Sequence, residues 1–91
     1  MLGLLWSERA RNDLRQILRF ISEDDAVAAR RLSERLDEAI VPVLEYPHLY
    51  RQGRIPGTRE IVAHPNYIIV YSVRTEYIEI VAVLHTRQQY P

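Results

Sequence analysis

Four side chains in the second half of the chain have the chemistry that metal-free RNA cleavage requires. They are Arg59, His85, Arg87 and Tyr90. Such cleavage needs a base for the 2′-hydroxyl proton, a cation for the charge that develops on phosphorus and an acid for the leaving oxygen. Histidine titrates near neutrality, and arginine is a permanent anion clamp. The same residues could instead form a polar tail that keeps a sheet edge in water, so both interpretations stay open on spacing alone.

Other catalytic patterns are missing from the sequence. It contains no glycine-rich phosphate loop, no Gly-x-Ser-x-Gly elbow and no His-Glu-x-x-His pair. The three histidines lack helical i,i+4 spacing, and both His48 and His64 adjoin prolines in predicted turns. We therefore predict no metal site and no cofactor. The acidic run at 23–25 is typical of a helix cap rather than of an acid/base pair.

The composition indicates one globular domain, residues 1–91. It has no cysteine, which favours a reducing cytoplasm, and its apolar start is too short and too soon interrupted by charge for a signal peptide or a membrane span. All twelve basic residues are arginine, balanced by twelve acids to a net charge of zero. A neutral chain does not have the strong positive charge expected of a protein that binds DNA on its own.

The first half of the sequence predicts a strand followed by a helical hairpin. The apolar run at 2–6 is typical of a short buried strand or of a strand-like arm. Ser7 is a good N-cap, and the apolar residues that follow recur at spacings of three and four: Ala10, Leu14, Ile17, Leu18 and Ile21. A second amphipathic helix follows the caps at 22–25 and continues to about Glu45. Pro42 predicts a kink or an early end there.

The second half predicts a loop at 46–58 and then three strands. The strands and their connections are, in order, 59–63, the turn 64–66, 67–74, the turn 75–76 and 77–84. Strict alternation in the last strand would place Ile78, Ile80, Ala82 and Leu84 on one face. The predicted fold is α+β with the order β-α-α-β-β-β, a helical hairpin packed on a small antiparallel sheet.

Several motifs resemble, in order and spacing, those of the RelE/ParE superfamily of toxins. They are the helix pattern Ala10-x-x-x-Leu14-x-x-Ile17-x-x-x-Ile21, the strand entry Gly57-Thr58-Arg59-Glu60, the turn His64-Pro65-Asn66-Tyr67 with Val70-Tyr71, and the ending Val83-Leu84-His85-Thr86-Arg87-Gln88-Gln89-Tyr90-Pro91. The similarity covers essentially the whole chain, and the turn and the ending are its most specific parts. It implies the toxin of a type II toxin–antitoxin module, neutralised by a cognate antitoxin in a hetero-oligomer.

The superfamily that the chain resembles contains ribosome-dependent endoribonucleases of RelE type. The resemblance would give Arg59 and Arg87 the role of clamps, and His85 or Tyr90 the role of proton-transfer group. Where such enzymes have an arginine at the start of the third strand, this sequence has Ile68. The zero net charge is also unlike that of a protein that grips ribosomal RNA.

The superfamily also contains ParE-type toxins, which bind and poison DNA gyrase without catalysing a reaction. A long first helix with the pair Asp13-Leu14 resembles this type more closely. We therefore expect a protein that is not an enzyme, with RelE-type ribonuclease activity as the alternative. The residues expected to face the target are Arg54, Arg59, His85 and Arg87.

The expected partners are the antitoxin and DNA gyrase, or the ribosome in the alternative. An exposed sheet edge, or an apolar seam between the hairpin and the sheet, would accept a strand or an amphipathic helix of the antitoxin. Trp6, Leu18 and Tyr50 are candidate anchors for the antitoxin, or simply core residues. We expect no membrane partner and no direct sequence-specific binding to nucleic acid.

Overall fold

The computed structural model describes residues 1–90, in which two helices pack on one face of a four-stranded sheet. The elements are β1 Gly3–Trp6, α1 Glu8–Ser22, α2 Ala26–Glu45, β2 Arg59–His64, β3 Tyr67–Val73 and β4 Tyr77–His85. The order β-α-α-β-β-β and the helical hairpin on a sheet confirm the predicted fold. Neither helix in this part of the chain has the length and apolar character needed to cross a membrane.

The sheet has the strand order β1-β4-β3-β2 and is mixed rather than wholly antiparallel. The pairs β2–β3 and β3–β4 are antiparallel as predicted, whereas β1 lies parallel to β4. The hairpin turn between β3 and β4 is closed by the N–H of Arg74, which donates to the Tyr77 carbonyl at 2.9 Å. The direction of β1 could not be predicted because no short turn joins this four-residue run to a neighbouring strand.

Polar side chains cap the start of both helices. The Ser7 hydroxyl accepts the Ala10 N–H at 3.0 Å, which confirms the predicted N-cap, and Asp25 accepts the N–H groups of Val27 and Ala28. The early end predicted at Pro42 is wrong, because α2 continues to Glu45. Pro42 removes only one backbone donor in the last turns, and it lies on the exposed side of the helix.

The two faces of the sheet carry separate apolar clusters. On the face that the helices cover, here the helix face, the largest buried side chains are Tyr71, Leu36, Ile40, Ile61, Ile69, Ile78 and Ile80. On the opposite face, here the open face, a smaller cluster comprises Ile68, Val70, Ala82 and Leu84. Tyr90 packs against this second cluster, so the C-terminal tail (residues 86–90) lies over part of the open face.

A β-bulge in β4 changes which face its side chains occupy. Tyr71 pairs with Ile80 and Val70 with Ala82, so Val81 is an extra residue in β4. The single face predicted for the strand is therefore wrong. Ile78 and Ile80 lie on the helix face, whereas Ala82 and Leu84 lie on the open face. The Ser7 hydroxyl donates to the Val81 carbonyl at 3.1 Å and ties the start of α1 to the bulge.

Asp13 covers the edge of β4 that extends beyond the end of β1. The β1–β4 pairing stops at Trp6 and Ile80, which leaves the later residues of β4 without a strand on that side. There the Asp13 carboxylate accepts the Val83 N–H at 3.1 Å and lies 3.6 Å from Arg9 Nε. The side chain thus occupies an edge position that another strand would otherwise pair with.

We expect Asp13→Ala to lower the free energy of unfolding by about 1–2 kcal/mol, because it removes a charge-assisted hydrogen bond that is largely shielded from water. Urea unfolding at neutral pH measures the change. Asn12→Ala, an exposed substitution on the same helix, is the matched control and should cost less than about 0.5 kcal/mol. Equal stabilities of the two variants would show that Asp13 does not hold this edge.

Candidate functional site

A buried carboxylate organises the polar groups of the open face. Glu60 is 3% exposed and lies opposite Val70 in the sheet. One of its oxygens accepts the Arg51 Nη2 at 3.2 Å. The other accepts the Arg54 backbone N–H at 3.1 Å and the Tyr90 hydroxyl at 3.0 Å. Glu60 therefore binds both the loop before β2 and the C-terminal tail, and it holds them together at one point of the sheet.

The side chain of Arg54 also contacts Glu60 and Tyr90, and it lies against the C-terminal tail. Its guanidinium lies 4.9 Å from the centre of the Tyr90 ring, an arrangement that favours a cation–π contact. Its Nη1 also donates to the Tyr90 carbonyl at 3.3 Å, and its Nε is 3.7 Å from Glu60. The predicted target-facing Arg54 and the predicted catalytic Tyr90 are therefore direct neighbours.

These contacts and burial shift the pKa values of Glu60 and Tyr90. Burial alone would raise the pKa of Glu60, but the Arg54 N–H, the Tyr90 hydroxyl and the two guanidinium groups outweigh it, so the pKa lies below the ordinary value. Burial, together with the hydrogen bond that its hydroxyl donates to Glu60, raises the pKa of Tyr90. A phenol whose hydroxyl already donates to a carboxylate is a poor acid for a leaving group.

Arg59 belongs to the other face of the sheet. It alternates with Glu60 along β2, and its Nη1 donates to the Tyr50 carbonyl at 2.7 Å. Its cross-strand partner Tyr71 donates its hydroxyl to the Pro47 carbonyl at 2.8 Å. These two side chains hold the loop after α2 against the sheet.

His85 lies at the far end of β4 from Arg59. Its Nδ1 accepts the backbone N–H of Arg87 at 3.0 Å, and its ring contacts Tyr67 edge-on with the centroids 5.4 Å apart. His64 repeats the arrangement, since its Nδ1 accepts the Asn66 N–H and its ring lies 5.6 Å from Tyr67. Partial burial, with the positive charge of Arg35, lowers the pKa of His64.

The structure does not bring the four predicted catalytic residues into one site. The β3 partners of Arg59 and His85 are Tyr71 and Tyr67, which places the two about four residues, or roughly 13 Å, apart along the strand. Tyr90 is bonded to Glu60 on the open face, and Arg87 is exposed in the tail. Among residues 1–90, no group of three or more His, Asp or Glu side chains is placed to hold a metal ion.

The candidate antitoxin anchors lie in three different elements. Trp6, Leu18 and Tyr50 are each half-buried against the helix-face core. Sequence reasoning missed a more exposed apolar residue, Phe20, whose side chain is 73% exposed on α1. It lines an open groove of about 380 Å³ with Asp13, Gln16, Ile17, Tyr67, Val83, His85 and Gln88. The only signal in the sequence was an aromatic residue outside the buried stripe of α1.

Comparison with protein families gives a match over almost the whole chain. A family model described as "ParE toxin of type II toxin-antitoxin system, parDE" matches residues 4–90. Among solved structures, one titled "Chromosomal ParDE TA system from P. aeruginosa" has a TM-score of 0.76 and 20% sequence identity. The similarity covers 93% of this chain and 96% of that one, and at this identity it shows a shared fold.

Two curated proteins are similar in sequence. The protein named "Putative toxin Y4kP", from Sinorhizobium fredii, is 41% identical over 87 residues, which cover 94% of this chain and 90% of that protein. "Toxin RelE2" of Caulobacter vibrioides is 34% identical over 87 residues, which cover 93% of this chain and 96% of that protein. Both similarities extend over the helical hairpin and the sheet together.

Proposed function

Since the chain belongs to the ParE toxin family of type II toxin–antitoxin systems, we propose that it stops growth by binding DNA gyrase. In this proposal the protein traps the complex of gyrase with cleaved DNA and catalyses no reaction itself. It acts in the cytoplasm, and a cognate antitoxin neutralises it within a hetero-oligomer.

The observation that carries this proposal is that the charged groups on the open face are paired with one another. A ribonuclease of the alternative type that used Tyr90 would need a free hydroxyl at Tyr90 and unpaired cations beside it. Here Glu60 pairs with Arg51 and Arg54 and accepts the hydrogen bond of the Tyr90 hydroxyl. The position where an arginine was expected, Ile68, is apolar and buried, so it offers no cation to a phosphate group on this face. These contacts favour a surface that binds over one that cleaves.

We propose that the target-facing surface follows the C-terminal tail. Arg54 contacts the tail through Tyr90, Arg87 is an exposed member of it, and His85 leads into it. The side chains of Arg59 and His85 both lie on the helix face, so this proposal leaves Arg59 out and uses His85 only where its backbone enters the tail. Arg54 and Arg87 are exposed, so both guanidinium groups are accessible to a partner at this surface.

A gyrase supercoiling assay with purified toxin tests the proposal. We expect loss of supercoiling together with accumulation of linear DNA after the protein is digested. Addition of the antitoxin should prevent both effects. An unchanged supercoiling activity across a full titration of a folded toxin would exclude the proposal.

The alternative activity, ribosome-dependent mRNA cleavage, is favoured by one observation. A relative named "Toxin RelE2" is 34% identical over nearly the whole chain. Primer extension on a translated mRNA distinguishes the two activities, because ribosome-dependent cleavage leaves cuts in the ribosomal A site. Cuts that disappear in Tyr90→Phe and His85→Gln variants would establish the alternative.

We propose that the antitoxin binds apolar residues that the toxin leaves exposed. Leu5 on the edge strand β1 and Phe20 on α1 are 49% and 73% exposed. We expect Phe20→Ser to change the free energy of unfolding by less than about 0.5 kcal/mol, yet to weaken antitoxin binding at least tenfold by calorimetry. Val41→Ser, at another exposed apolar position, is the control. An unchanged affinity of the Phe20 variant would place the antitoxin elsewhere.

A further inference from the structure

Arg59 is the least exposed arginine of this chain. It is half-buried, whereas the other eleven arginines are exposed. The ion pairs within residues 1–90 involve Arg9, Arg51, Arg54 and Arg74, and none of them involves Arg59. Its only hydrogen-bond partner in this part of the chain is a neutral carbonyl, that of Tyr50. A guanidinium that is partly removed from water without a counter-charge loses part of its solvation, and proteins generally pair such groups.

Arg59 lines an open recess of about 460 Å³ below the loop that follows α2. The other lining residues are His48, Gln52, Gly53, Pro56, Gly57, Thr58 and Val73. None of these is acidic, so Arg59 supplies the fixed charge of the recess. The recess is therefore polar and cationic, although the chain as a whole is neutral.

A short hairpin gives the recess a defined wall. Gln52 and Arg59 form an antiparallel bridge, and the Gly53 N–H donates to the Thr58 carbonyl at 2.7 Å. At the tip, the Thr58 N–H donates to the Ile55 carbonyl across Pro56-Gly57. Gly57 has φ of 82°, the left-handed conformation that a type II turn requires at this position. The recess beside the guanidinium thus has a wall of hydrogen-bonded backbone.

We propose that this recess is a carboxylate-binding site that takes an acidic side chain of a protein partner. A guanidinium binds a carboxylate through two parallel N–H groups, and Arg59 uses only Nη1 for the Tyr50 carbonyl. A nucleic acid backbone presents a row of phosphates and is held by several cations at once, which a recess with one fixed guanidinium in a neutral chain does not offer. The site lies on the helix face, apart from the tail surface proposed for the target, so the two proposals can fail independently.

Placing a carboxylate in the recess by mutation tests the site directly. Gln52 lies opposite Arg59 in the bridge, so the two side chains share one face. We expect Gln52→Glu to raise the melting temperature by about 2–4 °C at neutral pH, because it supplies the missing counter-charge. Gln89→Glu, an exposed change in the tail, is the matched control and should leave the melting temperature unchanged.

The rise in melting temperature must depend on Arg59. In an Arg59→Gln background, Gln52→Glu should give no gain, whatever the cost of the Arg59 substitution itself. A gain that persists in that background, or a Gln52 variant no more stable than the Gln89 control, would overturn the proposal.

Binding of an external carboxylate is the second measurement. We expect a capped triglutamate peptide to shift the Arg59 Nε–H resonance of the wild-type protein, and the shift to be lost in Gln52→Glu. Inorganic phosphate, titrated in parallel, should shift it at least tenfold more weakly. A response to phosphate without a response to the peptide would contradict the assignment to carboxylate.

Discussion

Tyr71→Ala is expected to lower the free energy of unfolding by about 3–5 kcal/mol, because it empties the centre of the helix-face core. Tyr71 is the largest of the fully buried side chains. Its removal leaves a cavity and also frees the Pro47 carbonyl that its hydroxyl holds at 2.8 Å. Domains of this size have total stabilities of about 5–15 kcal/mol, so the variant should lose a large part of its margin. Urea unfolding followed by circular dichroism measures the loss.

Two further tyrosine substitutions separate packing from hydrogen bonding. Tyr71→Phe keeps the ring and removes only the bond to Pro47, so it should cost about 1 kcal/mol. Tyr77→Ala, at a position 37% exposed on β4, should cost less than Tyr71→Ala by at least about 2 kcal/mol. If Tyr71→Ala and Tyr77→Ala cost the same, the ring of Tyr71 is not the centre of this core.

Glu60→Ala is expected to cost about 2 kcal/mol at neutral pH, because it removes three hydrogen bonds to a buried charge and leaves the Tyr90 hydroxyl without its acceptor. The effect should also depend on pH. The pKa of Glu60 is lower in the folded chain than the ordinary value of 4.5. Its contribution is therefore complete above the unfolded pKa and is lost as the pH falls through the folded pKa.

Unfolding free energies of the wild type and the Glu60 variant between pH 3 and pH 7 check this prediction. The difference between the two proteins should be largest at pH 7 and should shrink toward pH 3. Glu76→Ala, an exposed change in the β3–β4 turn, should show no such trend. A difference that stays constant across this range would mean that Glu60 acts by packing alone and not by its charge.

Most of the fold could be predicted because local signals agree with it. Ser7 caps α1 as its residue type indicates, and the apolar period of α2 survives Pro42. The side-chain faces of β4 could not be predicted, because the bulge at Val81 depends on contacts with Ser7, more than seventy residues away in the chain. The parallel direction of β1 depends likewise on a long-range pairing, with residues 77–80 of β4.

The grouping of the candidate site residues could not be predicted from the sequence. Arg54 and Tyr90 do lie together, while Arg59 lies on the other face and His85 at the other end of the sheet. The residue that joins Arg54 to Tyr90 is Glu60, which the sequence showed only as an acidic residue at a strand entry. A buried carboxylate cannot be recognised from its own position alone, because its partners come from a loop and from the tail.

The central claim, that this toxin acts on DNA gyrase without cleaving RNA itself, is tested most directly in cells that express it without antitoxin. The measurement is the integrity of the chromosome, by pulsed-field gel electrophoresis of protease-treated DNA at the onset of growth arrest. Our account predicts fragmented chromosomal DNA, and intact DNA when the antitoxin is co-expressed. Growth arrest with intact chromosomes and with mRNA cut at ribosomal A sites would contradict it.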